Sequence, residues 1–329
     1  MAGSRRSLLR LIGGVALYQS LPLVHALAEN YPVRPINLFV GFPPGGAVDI
    51  TARVVGQKMY GILGQPMIVR NQPGASSMLA TETVARSAPD GYTLELIPIS
   101  TAIYSGLREK LPYDLERDLA PVSLVATGPF LLIVNSSVPA HSVKELIALA
   151  QSRPGKINAA SVGVGSAHHL VLELFKSRAK INVVHVPYKG NAPADLAVVS
   201  GEVQMSFSSA AGALALLKSD KIRALAVTSA KRLSSAPSVP TLDESGFPGF
   251  EYVAWYGITA PAKVPHDIIM RLNAAITKAV QTPEVKDTLN KQGFEAKSSS
   301  PEEFATIINN EIKRTISVVQ TAGLKLNLE

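Results

Sequence analysis

From Ile36 to Val227 short apolar β-type runs alternate with helical runs, and beyond Ala260 the chain offers helices with no strands to pair with them. Ile36–Gly41, Met67–Val69 and Tyr92–Ile97 read as strands, with helices over Ala47–Leu63 and Ala75–Arg86. Val122–Ala126 and Phe130–Val134 read as two further strands parted by Thr127-Gly128-Pro129. A second series follows, with strands over Lys156–Ala160, Val183–Val186, Val203–Phe207 and Ile222–Val227 and helices over Ser166–Arg178, Asn191–Val199 and Ser209–Lys218. Such alternation specifies an α/β fold. After a last strand at Trp255–Ala260 come a helical stripe of Ile268, Leu272, Ile276 and Ala279, a Thr282-Pro283 helix start, and the capping box Ser300-Pro301-Glu302-Glu303. Those helices must pack on a sheet made elsewhere, and the first series is the natural host. The expected organisation is a first lobe, 29–127 plus 253–329, interrupted by a second, 128–252, with crossovers near 127 and 252.

A chain of 329 residues fits about two domains. The absence of cysteine excludes disulfides, thiolate metal sites and cysteine nucleophiles. Met1–Ala28 carries three arginines and no acid, then an apolar stretch ending in Ala26-Leu27-Ala28. It reads as a secretory signal peptide cleaved near Ala28, too broken by Gln19, Ser20, Pro22 and His25 for a membrane span. Ser4-Arg5-Arg6-Ser7-Leu8-Leu9-Arg10 is similar to a twin-arginine export signal, and a general secretory leader with paired arginines is the alternative. The expected location is the periplasm. Removal of the leader takes the formal charge from +7 to +4. That balance favours anionic ligands, and the lack of Lys/Arg clusters argues against nucleic acid.

The densest local signal is Phe42-Pro43-Pro44-Gly45-Gly46, between a strand and a helix. Proline stiffens a turn, and glycine lets bare backbone amides face outward. A helix N-terminus with free amides attracts a carboxylate or phosphate. A tight strand-to-helix connection without a ligand would use the same residues. Three more junctions carry similar chemistry: Ser161-Val162-Gly163-Val164-Gly165-Ser166, Pro187-Tyr188-Lys189-Gly190 and Phe207-Ser208-Ser209-Ala210. In open α/β sheets ligands sit outside the carboxyl ends of strands, so four such junctions point to one cleft.

Single residues remain two-sided. Asp49 either complements the helix dipole or contacts a water or ammonium in the cleft. Lys189 either neutralises a ligand carboxylate or is solvated. His168 and His169, about 100° apart on a helix, suit a cap or core role better than a shared metal. Trp255 and Tyr256 suit hinge packing better than ligand stacking. Position 168 is histidine, not the third glycine of a dinucleotide fingerprint, and no GxxxxGK[ST], HExxH or GxSxG occurs. Neither a cofactor nor a metal is expected.

Several motifs recur in a fixed order: Tyr31-Pro32-x-Arg34-Pro35-Ile36, Phe42-Pro43-Pro44-Gly45-Gly46-x-x-Asp49, Ala88-Pro89-Asp90-Gly91-Tyr92-Thr93, Leu111-Pro112-Tyr113-Asp114, Pro121-Val122-Ser123-Leu124, His185-Val186-Pro187-Tyr188-Lys189-Gly190 and Arg223-Ala224-Leu225-Ala226-Val227-Thr228. With them the chain resembles the substrate-binding (Bug) receptors of tripartite tricarboxylate transporters over nearly all of its length from Tyr31. The resemblance implies a type II periplasmic-binding-protein fold, two α/β lobes closing on a small carboxylate. It implies binding positions at Phe42, Pro44, Gly45, Gly46, Asp49, Ser100 and Thr101 in the first lobe. In the second lobe it implies Gly163, Ser166, His169, Tyr188, Lys189 and Gly190, with Ser208 where many members carry aspartate. It further implies membrane transporter subunits as partners, and the chain is expected to act as a monomer. Arg70-Asn71-Gln72-Pro73-Gly74-Ala75-Ser76-Ser77 departs from the family's usual Glu-Asn-Arg-Pro-Gly-Ala-Gly-Gly, which leaves the ligand open: di- or tricarboxylate, acidic amino acid or aromatic acid. The rival readings are a sensory receptor for a membrane signalling protein and a periplasmic hydrolase or transferase.

Overall fold

The computed structural model describes residues 31–74, 77–107 and 111–322, so the expected leader at 1–28 lies outside the described residues. The strands are β1 (Ile36–Val40), β2 (Met67–Asn71), β3 (Thr93–Pro98), β4 (Leu119–Asn135), β5 (Asn158–Ser161), β6 (Val184–Pro187), β7 (Met205–Ser209), β8 (Ile222–Val227), β9 (Val253–Pro261) and β10 (Glu295–Ala296). The helices are α1 (Ala47–Leu63), α2 (Met78–Ala85), α3 (Ile99–Leu107), α4 (Leu115–Asp118), α5 (Val143–Ser152), α6 (Ala167–Ala179), α7 (Asn191–Ser200), α8 (Ala210–Leu216), α9 (His266–Gln281), α10 (Pro283–Lys291) and α11 (Pro301–Ala322).

The strands lie in the order β2-β1-β3-β9-β4-β7-β5-β6, with β8 and β10 also on β4. β4 is the spine. Its first part pairs with β9 and β10, and its last part with β7 and β8. Thr127-Gly128-Pro129 reads in sequence as a gap between two strands, but the chain stays extended through it. The signal has a different cause, since this is where β4 changes partners. Pro129 has no amide to give to a ladder, and a Cβ on Gly128 would fall 2.5 Å from the Phe294 ring.

Register fixes the directions. β3 is antiparallel to β9 and β9 to β4, so β4 runs with β1 and β3. Farther on, β4 is antiparallel to β7, and β5 and β6 run with β7. The carboxyl ends of β1–β3 therefore point at the middle of β4 from one side, and those of β5–β7 from the other. Pro98 is level with Tyr256 and, through it, with Ala126; Ser209 is level with Phe130. Four residues of strand separate the rims, about 13 Å at strand rise. This is the type II periplasmic-binding-protein arrangement, an α/β fold of two lobes joined through a shared strand pair.

Three apolar cores hold the layers. One joins β1, β3 and β9 to α1 and α9 through Leu38, Ala52, Leu94, Ile258 and Leu272. Another lies under α7 and α8. The third runs without a break from Ile103 of α3 through Phe304 and Ile308 of α11 to Phe175 of α6, so it underlies both lobes. The stripe Ile268, Leu272, Ile276 and Ala279 is buried as expected. The box at Ser300 closes reciprocally with Glu303, at 2.9 and 3.1 Å. Thr282 occupies the N-cap before Pro283, yet its hydroxyl bonds back to the Ala279 carbonyl.

Candidate functional site

Each rim loop ends in a helix, and the helices differ in how their first amides are satisfied. The first turn of any helix leaves amides without intrahelical acceptors. In α1 the first intrahelical bond is from Ile50 N–H to the Gly46 carbonyl. Gly46 is the N-cap and has no side chain to bond the amides of Ala47, Val48 and Asp49. In α7 the N-cap is Gly190, again without a side-chain cap, and Pro193 has no amide hydrogen, so Asn191 and Ala192 supply the open pair. The other two second-lobe rim helices each have the third amide closed by a serine. Ser166 Oγ accepts the His169 amide of α6 at 3.2 Å, and Ser209 Oγ accepts the Gly212 amide of α8 at 3.3 Å. Open amides thus stand on both rims, at α1 and α7.

The Phe42–Gly46 turn is set from behind. Gly45 has φ of 84°, a conformation that favours glycine. Its amide is not bare, as the sequence reading had it, but donates to Asp49 Oδ2 at 2.9 Å. Asp49 is buried, and its carboxylate also takes Arg53 Nε at 2.9 Å and Asn71 Nδ2 at 2.9 Å. Asn71 in turn donates to the Phe42 carbonyl at 3.0 Å. Burial pushes the Asp49 carboxyl up, but the hydrogen bonds from Arg53, Gly45 and Asn71 outweigh it and hold it below the usual carboxylate range. An acid beside an anion site needs a neutralising partner, and Arg53, one helical turn on, is that partner. Pro43, Pro44, Gly45 and Gly46 themselves are exposed, and Phe42 is half-buried.

Ser100 and Thr101 lie in the first turn of α3, a helix the sequence reading missed because Ile99, Thr101 and Ile103 favour strands. Ser100 is half-buried. Thr101 is 1% exposed, and its hydroxyl has no partner among the described residues. Ser77, where the family usually has glycine, keeps a left-handed φ of 80° and donates its hydroxyl to Glu95 Oε1 at 2.9 Å. Thr81 donates to the same oxygen. Burial pushes Glu95 up to about 8, against both hydroxyls, which favours the neutral acid at pH 7.

In the second lobe Gly163 and Gly165 have φ of 134° and 74°. Their amides are also engaged: Gly163 with Ser161 Oγ at 3.1 Å, Gly165 with His169 Nδ1 at 3.1 Å. His169 is therefore behind the loop, 3% exposed and stacked on His185. His168 meets Phe130 edge-on at 4.7 Å, and burial pulls it down to about 3. The Tyr188 hydroxyl donates to Glu202 at 2.7 Å, while Lys189 is exposed on the rim. Ser208 is buried beside Asp195, which burial pushes up to about 6 against the Ser208 hydrogen bond. Trp255 packs edge-on against Phe304 at 5.5 Å. An open depression of about 560 Å³ lined by Lys144, Ile147, Arg178 and Phe247 contains none of these rim residues. Among the described residues no group of three or more His, Cys, Asp or Glu could hold a metal.

Sequence reasoning missed Arg53, Asn71, Ser161 and His185. The i,i+4 pair Asp49–Arg53 was readable as a helical ion pair. The His169–His185 stack joins a helix to a strand and leaves no local trace.

Facing rims with amide-lined helix starts define a solute-binding protein of the periplasmic type. Residues 51–324 match the model of the tripartite tricarboxylate transporter family receptor, TctC, and the chain belongs to that family. Protein BugT of Bordetella pertussis is 37% identical over 301 residues, 91% of this chain and 92% of the relative. The structure of periplasmic binding protein BugD aligns with a TM-score of 0.77 at 30% identity, over 89% of this chain and 99% of that one. MatC from Rhodopseudomonas palustris with bound malate gives 0.76 at 32%, over 88% and 100%. R. palustris Rpa4515 with adipate gives 0.79 at 33%, over 89% and 98%. The family is one of periplasmic receptors, not enzymes. No described helix is long and apolar enough to cross a membrane.

Proposed function

We propose that the chain captures a small carboxylated metabolite between its lobes and delivers it to the membrane subunits of a tripartite tricarboxylate-type transporter. The observation that carries this reading is the pair of open helix starts, α1 at Gly46 and α7 at Gly190, on opposing rims. Two such sites facing each other suit a ligand with acidic groups at both ends, and malate and adipate in the related structures are of that kind. The lobes divide as 29–127 plus 253–329 and 128–252, and they close about β4 and β9. Gly46, Gly190 and the amides following them grip the carboxylates; Phe42, Pro44, Ser100, Thr101 and Lys189 line the approach. Gly45, Asp49, Gly163, Ser166, His169, Tyr188 and Ser208 hold the loops in shape.

A micromolar Kd requires about −8 kcal/mol. Charge-assisted hydrogen bonds at about 1.5–3 kcal/mol each supply that from four or five amides, less the cost of ordering the ligand. The Ser161–His185 contact of 2.6 Å does not make a hydrolase, because Ser161 is fully buried and the His185 face is covered by His169.

The test is a thermal-shift screen with di- and tricarboxylates, acidic amino acids and aromatic acids. A ligand at 100 times its Kd adds about 2.7 kcal/mol, several degrees in Tm. Stabilisation only by uncharged compounds would overturn the reading. Loss of uptake of the ligand on gene deletion, with transcription unchanged, separates transport from sensing.

A further inference from the structure

Behind the Gly163–Ser166 loop lies a largely buried side-chain cluster. The His169 and His185 rings are 3.8 Å apart and within 10° of parallel. His169 Nδ1 accepts the Gly165 amide, so that nitrogen carries no proton, and the ring proton sits on Nε2, 3.6 Å from Glu173 Oε1. Glu173 is bonded at 2.6 Å to Lys176, which balances its charge without a histidine cation. On the other ring, His185 Nε2 is 2.6 Å from Ser161 Oγ, the same oxygen that accepts the Gly163 amide. Both glycine amides of the loop thus end on this pair, one directly and one through a hydroxyl.

We propose that His185 is a positioning residue for the second-lobe rim: its ring holds His169 in the orientation that anchors the Gly165 amide. A proton on His169 Nδ1 would set two N–H groups against each other and detach Gly165. A second cation 3.8 Å away would be repelled. The ionisable groups facing the stack are Glu173 and Lys176 of α6; β5 presents only the Ser161 hydroxyl. Burial, with His169 and Lys176, pulls His185 down to about 4 although Glu173 opposes this. The inference rests on the rim being a binding surface, but its test does not require a ligand.

Amide and imidazole NMR signals of the ligand-free protein, followed from pH 7.5 to 4, read the brace directly. The Gly163 and Gly165 amides should shift together with the His185 ring, at a midpoint below the ordinary 6.5, while Gly45 and Gly46 do not follow. His185→Ala should move the Gly165 amide at pH 7. His185→Phe keeps a flat face that cannot take a proton and should restore the Gly165 position. With malate as the calorimetric probe, His185→Ala should weaken binding about tenfold, the loss of one well-made hydrogen bond, and His185→Phe should recover most of it. A Gly165 amide indifferent to His185→Ala, or a phenylalanine variant no better than alanine, would overturn the brace. If the wild-type chain ignores malate, that counts against malate as the ligand, and the amide titration still decides the brace.

Discussion

Helices α1 and α6 begin at equivalent places, one on each rim, and they begin oppositely. The N-cap of α1 is Gly46, which has no side chain to take an amide, while that of α6 is Ser166, whose hydroxyl takes the His169 amide. A serine N-cap is worth only a few tenths of a kcal/mol over glycine, so stability does not explain the choice. The glycine leaves the third amide of its helix open and the serine closes it. The supports differ in the same sense. The first-lobe turn is tied by an ion-paired carboxylate, Asp49 with Arg53, whereas the second-lobe loop is tied by stacked imidazoles. A rim that receives an anion can keep an acid close behind it only if a cation cancels the charge.

The sharpest break of that asymmetry is Gly46→Asp. The new carboxylate caps α1 and occupies the mouth. Carboxylate affinity should fall about a hundredfold or more, the loss of two charge-assisted bonds, with no loss of Tm. Gly46→Ser should give a milder fall in the same direction, read by calorimetry. Next comes Arg53→Ala, which exposes the anion to an uncancelled Asp49. Binding at pH 7 should weaken about tenfold and then improve as the pH falls toward 5, because Asp49 loses its hydrogen-bonded partner and protonates more readily; a flat profile would remove Arg53 from the account.

A stability profile tests whether the charge beneath the first rim stays at zero. Glu95 is raised in the folded state, so its contribution is complete below the unfolded value near 4.5 and is lost as pH rises through about 8. Tm should drop by a few degrees between pH 6 and 9, and Glu95→Gln should flatten that slope without changing affinity. The smallest effect is that of Lys189→Ala. Its exposed ammonium should matter two- to threefold at low salt and vanish at high salt, as surface charges do.

How far the sequence carried depended on range. The alternation, the Ser300 box and the late helical stripe are local patterns, and Ser300 and Glu303 bond each other reciprocally as the box requires. The glycine-rich turn pointed to amides in general but not to particular ones, since Gly45 closes on Asp49 and only the residues after Gly46 are open. Thr127-Gly128-Pro129 misled because a change of ladder partner and a strand end use the same residues. The His169–His185 stack and the Ser77–Glu95 bond join segments 16 and 18 residues apart through tertiary packing. Such contacts have no period to read.

The central claim is that the open amides at the starts of α1 and α7 hold the ligand. Amide NMR shifts on saturation with the tightest carboxylate from the thermal-shift screen test it residue by residue. The largest changes should fall on Ala47, Val48, Asn191 and Ala192, with small changes at the serine-capped His169 and Gly212. A ligand that binds while leaving those four amides unmoved would contradict it.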